Sequence, residues 1–172
     1  MNLLLRLLAT LIGARRRSPL GPLDESVMTL RVLPTDVDAN LHMNNGRYLS
    51  IMDLGRFDLT VRNGLLRATL RRGWRPVVGS VVIRYRRSLD PLQRYELRTR
   101  AVCWDEKWIY LEQRFERGGE VAAIGLVKAL FVGKGGSVPT RDVFATVGFM
   151  GDSPPMPESV ELWRRSEAAM KG

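Results

Sequence analysis

The side chains best suited to chemistry sit together between Asp36 and Asn45, in the run Asp36-Val37-Asp38-Ala39-Asn40-Leu41-His42-Met43-Asn44-Asn45. His42 is the only histidine in the chain. This polar cluster leads into a segment with helical periodicity. It therefore sets carboxylate, amide and imidazole groups beside backbone N–H groups that have no intrahelical partner, and these together with the helix dipole stabilise negative charge. Hydrolysis of a thioester needs such parts: a nucleophile or base, and donors for the developing oxyanion. Plainer readings exist for the same residues. Asn44 or Asp36 can cap a helix. Asn45-Gly46 can turn a hairpin, although no strand pattern follows it. A lone histidine can be structural. Ser80 has no second histidine to serve it, which argues against a Ser-His-Asp hydrolase. The sequence carries neither a metal-ligand cluster nor a glycine-rich phosphate loop, so no cofactor is called for.

The elements that must position this cluster are readable from periodicity. Val27 to Leu33 alternates as a strand and ends at Pro34. From Asn45 to Leu66 the pattern is helical, with Tyr48, Met52, Gly55, Leu59 and Leu66 on one stripe and Leu54, Phe57 and Val61 on a second. A helix apolar on two sides is covered on two sides. Asn63-Gly64 supplies a stop signal slightly before the pattern ends. Strands are expected over Val77 to Leu89, Arg94 to Cys103, Trp108 to Arg117 and Glu120 to Val132, the last long and apolar and so placed centrally. In the first of these, Val81, Ile83 and Tyr85 share one face, while Ser80, Val82, Arg84 and Arg86 share the other. After Pro154, Pro155 and Pro157 comes a short amphipathic helix with Val160, Leu162 and Trp163. This order predicts an α+β fold: one antiparallel sheet of about five or six strands curled around one long helix. The sheet edge and the helix's second face need covering, and a second subunit is one way to do it.

Composition sets the outer bounds. A chain of 172 residues that is 45% apolar has the size and the core of one domain with tails. The single cysteine, Cys103, rules out an intrachain disulfide. The net charge of +9 is concentrated, because residues 62–100 hold eleven arginines against only Asp90 and Glu96. Such a stretch suits a polyanion: nucleic acid, an anionic membrane or the phosphates of coenzyme A. A solvated arginine-rich surface explains it equally well. At the N-terminus, Leu3 to Ile12 forms a wide apolar helical face, with Arg6, Ala9, Thr10 and Gly13 on a narrow side and Arg15, Arg16 and Arg17 following. The run is too short to span a bilayer. It suits an interfacial amphipathic helix or a helix packed on its own domain or on a second subunit. The expected organisation is an N-terminal helix and linker over 1–25, a main domain over 26–136 and a C-terminal extension over 137–172, in a cytoplasmic protein that can attach to membrane through its first helix.

The spacing in Asp36-Val-Asp38-Ala-Asn40-Leu-His42-Met-Asn44-Asn45-Gly-Arg-Tyr48-Leu49 resembles the signature of hot-dog-fold thioesterases of the 4-hydroxybenzoyl-CoA and acyl-ACP thioesterase group. It is most similar to the thioesterase-like branch that includes the THEM proteins. The segment Trp104 to Phe115 is similar to the hairpin of that family, and the resemblance covers roughly residues 26–135. It implies a hot-dog fold and an acyl thioesterase that releases free acid and thiol, with a role in fatty acid metabolism. It implies that Asp38 is the catalytic carboxylate, attacking the thioester or activating water. Asn40 and His42 match the polar pair of the acyl-ACP type, the N–H of Asn45 matches the oxyanion donor, and Tyr48 shapes the acyl pocket. Asn44, Tyr48, Ser80, Arg84 and Arg86 are expected to meet substrate. The family's site lies at a dimer interface, so a homodimer or higher homo-oligomer is implied. Some CoA-using members carry basic residues at the bend before the third strand of the sheet hairpin, whereas this chain has Asp105-Glu106 with only Lys107. The carrier is therefore either coenzyme A or an acyl carrier protein, whose acidity would suit an arginine-rich face. The alternative class is a non-catalytic hot-dog module that binds acyl groups or scaffolds a partner. A nucleic-acid partner rests on charge alone and is not expected, and a hot-dog dehydratase fits the Asp-x-Asn-x-His loop less well than hydrolysis does.

Overall fold

The computed structural model describes residues 3–170. Helix α1 (Leu3–Arg16) comes first, then strand β1 (Ser26–Arg31) and a single 3-10 turn over Pro34–Asp36. The long helix α2 (Asn45–Arg62) follows, then a short helix α3 (Leu65–Arg71). Strands β2 (Arg75–Tyr85), β3 (Arg94–Trp104), β4 (Ile109–Arg117), β5 (Glu120–Gly133) and β6 (Gly136–Val138) are consecutive, and helices α4 (Thr140–Ala145) and α5 (Glu158–Ala169) close the chain. The periodic segment from Asn45 to Leu66 is thus two helices. Gly64 takes a left-handed φ of 81°, which breaks the first helix and starts the second.

All pairings are antiparallel, in the order β1-β3-β4-β5-β2, with β6 added to the end of β5. The sheet has six strands, and β5 lies in its interior, although β4 is the middle strand of the main path. Helix α2 fills the inner face. Tyr48, Ile51, Met52 and Leu54 are buried among Leu97, Phe115, Ala123 and Val127. Gly55 makes this approach possible, because a Cβ there would stand 2.5 Å from the Thr99 hydroxyl and 2.8 Å from the Gln113 amide. Beneath it, the fully buried Gln113 donates to the Met52 carbonyl and to the Thr99 hydroxyl, each at 2.9 Å, and accepts from Arg56 at 2.7 Å. A buried amide is tolerated only when its donors and acceptor are met in this way. The result is the expected hot-dog arrangement.

Parts of both outer surfaces of this unit are covered within the chain. Helix α5 lies on the convex face, where Val160 and Trp163 meet Tyr110 and Cys103. Helix α1 lies across α2 and beside β1, so the second apolar face of α2 is covered in part by the chain's own N-terminus. The β2 edge stays bare. Most of its residues are exposed, including Val77, Val78 and Val82. A bulge between Val78 and Ser80 shifts the alternation. This lets Pro76 and Val78 share the inner face with Val81, Ile83 and Tyr85.

Candidate functional site

The loop from Val37 to Met43 is a closed turn. Val37 and Met43 form an isolated antiparallel bridge, the Asp38 N–H meets the His42 carbonyl at 3.1 Å, and the Leu41 N–H meets the Asp38 carbonyl at 3.0 Å. Leu41 makes the reversal in a left-handed conformation, φ 59°, which costs a non-glycine residue about 1–2 kcal/mol. The base of the turn is pinned to the fold at two points: the Met43 N–H bonds the Leu89 carbonyl and the Asn44 N–H bonds the Asp36 carbonyl, both at 2.8 Å.

This turn gives Asp38 a fixed carboxylate. One oxygen accepts the Asn40 N–H at 2.9 Å and the other accepts the Asn44 side-chain amide at 3.2 Å. Asn44 also caps α2, its carbonyl oxygen accepting the Gly46 N–H at 2.9 Å. One residue thus performs the capping expected of it and holds Asp38 as well. Asn45 is the first residue of α2, where an N–H has no intrahelical acceptor and the dipole is positive. Asp38, Asn40, His42, Asn44 and Asn45 are therefore gathered at one helix end, with the His42 side chain exposed.

Tyr48 sits one turn further along, buried beneath the loop. Its ring meets Tyr85 edge-on at 5.1 Å and Phe115 at 4.8 Å. Burial pushes its hydroxyl up to about 12, so it is a neutral wall of the site. Tyr85 lies on the inner face of β2, where its alternation with Val81 and Ile83 puts it. Its hydroxyl donates to the Asn45 carbonyl at 2.9 Å, so the end of β2 fixes the start of α2. The other unforeseen contact is Arg6 of α1, whose guanidinium meets the buried Asp36 carboxylate at 2.6 Å. Asp36 is thus a buried anchor at the foot of the loop, also accepting the Leu33 N–H at 3.0 Å.

The remaining expected site residues lie elsewhere. Ser80 and Arg84 are on the outer face of β2, and Arg86 follows the end of that strand, its N–H bonded to the Ala122 carbonyl. At the bend between β3 and β4, the Asp105 carboxylate is occupied internally, accepting the N–H groups of Lys107 and Trp108 at 2.9 and 2.7 Å. Of the arginines between 62 and 100, Arg62, Arg87, Arg98 and Arg100 are in ion pairs.

An apolar cavity of about 210 Å³ opens between the C-terminal half of α2 and the inner face of β2, β4 and β5. Phe57, Leu66, Val78, Leu111, Ala129 and Phe144 are among its walls. None of the residues of the 38–45 loop lines it. Its first wall residue on α2, Asp53, is eight residues beyond Asn45, about 12 Å along the helix. Among the described residues no cluster of His, Cys, Asp or Glu is placed to share a metal ion.

An antiparallel sheet curled on a buried helix, with a fixed carboxylate at that helix's start, defines a hot-dog protein of the thioesterase type. The chain belongs to the thioesterase-like superfamily, whose family model matches residues 32–163. It is 39% identical over 134 residues to Protein THEM6 of Xenopus laevis, a match covering 77% of this chain and 63% of that one. The matched stretch spans 54% to 66% of the length of the first curated relatives. Among solved structures, a probable thioesterase, YbaW of Escherichia coli, superposes with a TM-score of 0.65 at 19% identity, covering 70% of this chain and 97% of that one. A gentisyl-coenzyme A thioesterase, BH1999, superposes with a TM-score of 0.60 at 21% identity, over 70% of this chain and 99% of that one. These two likenesses bear on the fold.

Proposed function

We propose that the protein hydrolyses acyl thioesters carried on coenzyme A or on an acyl carrier protein. The observation that carries this reading is the Asp38 carboxylate, held by the Asn40 N–H and the Asn44 amide beside the first N–H groups of α2. In this reading Asp38 attacks the thioester carbon or takes a proton from water that does so. Negative charge develops on the carbonyl oxygen and is met by the Asn45 N–H and the helix dipole. Asn40 and His42 position the water or the thioester, and the neutral Tyr48 shapes the acyl side. The C–S bond then breaks, and the thiolate leaves and is protonated; where Asp38 itself attacks, water then hydrolyses the acyl–Asp38 anhydride, so either route ends in free acid, thiol and a restored carboxylate. Family membership and a structural neighbour that is a gentisyl-coenzyme A thioesterase support this class of substrate.

The acyl group needs an apolar receptacle, and the cavity under α2 is the one that suits it. In one chain its walls begin about 12 Å along α2 from Asn45, beyond the reach of a compact acyl group held at Asp38. Antiparallel pairing of two β2 edges about an axis near Ser80 would set Tyr85 of one copy opposite Arg75 of the other. The 38–45 loop of each copy would then come to the mouth of the other's cavity. We therefore read the active unit as a homodimer with two shared sites. At about 210 Å³ the cavity is below the roughly 300 Å³ usual for drug-sized ligands, which favours a compact acyl group.

The test is thiol release from a panel of acyl-CoA and acyl carrier protein thioesters, graded by acyl size, against a control without substrate because Cys103 is a free thiol. Turnover of compact acyl thioesters is expected. Binding of acyl groups without turnover anywhere on the panel would favour a non-catalytic acyl-binding module.

A further inference from the structure

Helix α1 is turned the opposite way from an ordinary surface helix. Its narrow polar side faces the protein, with Arg6 and Thr10 buried and Arg6 paired to Asp36. Leu3 and Leu7 are half-buried against the core beside them, and the rest of the apolar side faces outward, leaving Leu5, Leu8 and Ile12 exposed by 55%, 48% and 52%. Large apolar side chains grouped on one exposed helix face mark an interaction surface. The cationic surroundings indicate what the surface meets. Arg15 and Arg16 end the helix, and across a shallow groove α3 presents Arg67, Arg71 and a Leu70 that is 60% exposed. No Asp or Glu occurs in residues 1–23 or 59–89, and Asp58, which pairs with Arg17 and Arg62, is fully buried, so the exposed charge of this face has one sign.

We propose that α1 lies in the headgroup layer of an anionic lipid surface, with its leucines entering the acyl boundary and the flanking arginines on lipid phosphates. Apolar area plus basic residues is the combination that holds an interfacial helix. A second copy is the poorer occupant, because two such faces would bring together arginine clusters that hold no acids. Self-association already has a bare β2 edge on the opposite side of the sheet from β1 and α1. Among the described residues no helix is long and apolar enough to cross a membrane, so attachment is at the interface. The proposal rests on packing and charge and holds whatever reaction the site performs.

The test uses the full chain and phosphatidylcholine vesicles with and without phosphatidylglycerol. Sedimentation with the phosphatidylglycerol vesicles alone is expected, falling as salt rises. Leu5→Glu with Leu8→Glu should abolish it. Arg15→Gln with Arg16→Gln should weaken it by about 10- to 30-fold, since each basic residue near the surface contributes about 1 kcal/mol. All four positions are exposed, so both variants should melt as the parent does; if the leucine pair misfolds, the arginine pair still decides. The proposal fails if the parent protein ignores phosphatidylglycerol vesicles or if the arginine pair binds them with parent affinity. It also fails if the leucine variant binds as before, or if that variant turns a parent dimer into a monomer.

Discussion

Removing the Arg6 guanidinium tests whether α1 is fixed to the site loop as the ion pair requires. The Arg6 and Asp36 side chains are 7% and 3% exposed, and their nitrogen and oxygen are 2.6 Å apart. Deleting one partner of a buried pair costs about 3–5 kcal/mol, mostly from the charge left behind. Asp36 would keep the Leu33 N–H and the Arg47 guanidinium 3.8 Å away, so Arg6→Ala should fall at the low end, about 3 kcal/mol. For a chain of this size that is a fall of about 6–12 °C in Tm. Asp36→Asn in the Arg6→Ala background should recover part of the loss, giving a coupling of about 1–3 kcal/mol in the double-mutant cycle. The assay is thermal and urea unfolding followed by circular dichroism, with turnover measured on the folded fraction. Turnover should fall too, because three linked contacts connect Arg6 to the carboxylate proposed to react: Arg6 to Asp36, the Asn44 N–H to the Asp36 carbonyl, and the Asn44 amide to Asp38. A change in Tm below about 2 °C with no coupling to Asp36 would refute the reasoning, since it would mean that the pair is not buried in the working protein.

Asp38→Asn preserves shape and removes the charge, so turnover should drop by about 10² or more with an unchanged melt. His42→Ala should lower the rate by no more than that, and an unchanged rate with a lowered Tm would give this histidine a structural role. Tyr85→Phe removes the bond to the Asn45 carbonyl and should reduce kcat more than it raises KM, because what loosens is the oxyanion donor rather than a substrate contact. Arg84→Ala with Arg86→Ala should raise KM, leave kcat nearly unchanged and flatten the salt dependence of KM if the outer face of β2 meets carrier phosphates. An unaltered KM at low salt would show these two side chains to be solvated only.

The local rules were legible wherever one residue or one period decides the outcome. Asn44 is a cap by type and position, Gly64 is a stop by its left-handed φ, and Tyr48, Met52, Gly55 and Leu59 form a buried stripe because period 3.6 leaves them no other place. The gathering of Asp38, Asn40, His42, Asn44 and Asn45 followed from their adjacency. Long-range partners were not legible. Nothing in the local sequence pairs Arg6 with Asp36 thirty residues later, and amphipathicity gives the two faces of α1 without saying which one turns inward. The buried Arg6, Thr10 and Ala14 face inward with Leu3 and Leu7 half-buried beside them, which leaves Leu5, Leu8 and Ile12 outside. The bulge at Gly79 was hidden too. It is visible in the pairing register, and only through it do Pro76 and Val78 line the cavity, a strand-length from Tyr85 and the 38–45 loop.

That separation provides the sharpest test of the shared site. If each site takes its loop from one copy and its cavity from the other, two defective chains should repair each other. Ala129→Trp would fill the cavity from the inner face of β5 while leaving Asp38 in place, and Asp38→Asn disables the loop while leaving the cavity open. Each variant alone should be nearly inactive. In a mixed dimer, the intact loop of one chain meets the open cavity of the other, so one of two sites works. Unfolding and refolding equal amounts together gives mixed pairs in about half the dimers, hence about a quarter of parent turnover, as an isologous twofold interface requires. A site confined to one chain predicts no recovery in the mixture, because every chain then carries one lesion within its own site. Recovery must also depend on the interface. A charge placed on the bare edge, Val82→Glu, should abolish it and shift the protein to monomer, since the paired edge would set an unpartnered carboxylate against Val78 of the other copy. A mixture that regains nothing while the parent protein is a β2-paired dimer would place loop and cavity in separate roles, and the cavity would lose its claim to the acyl group.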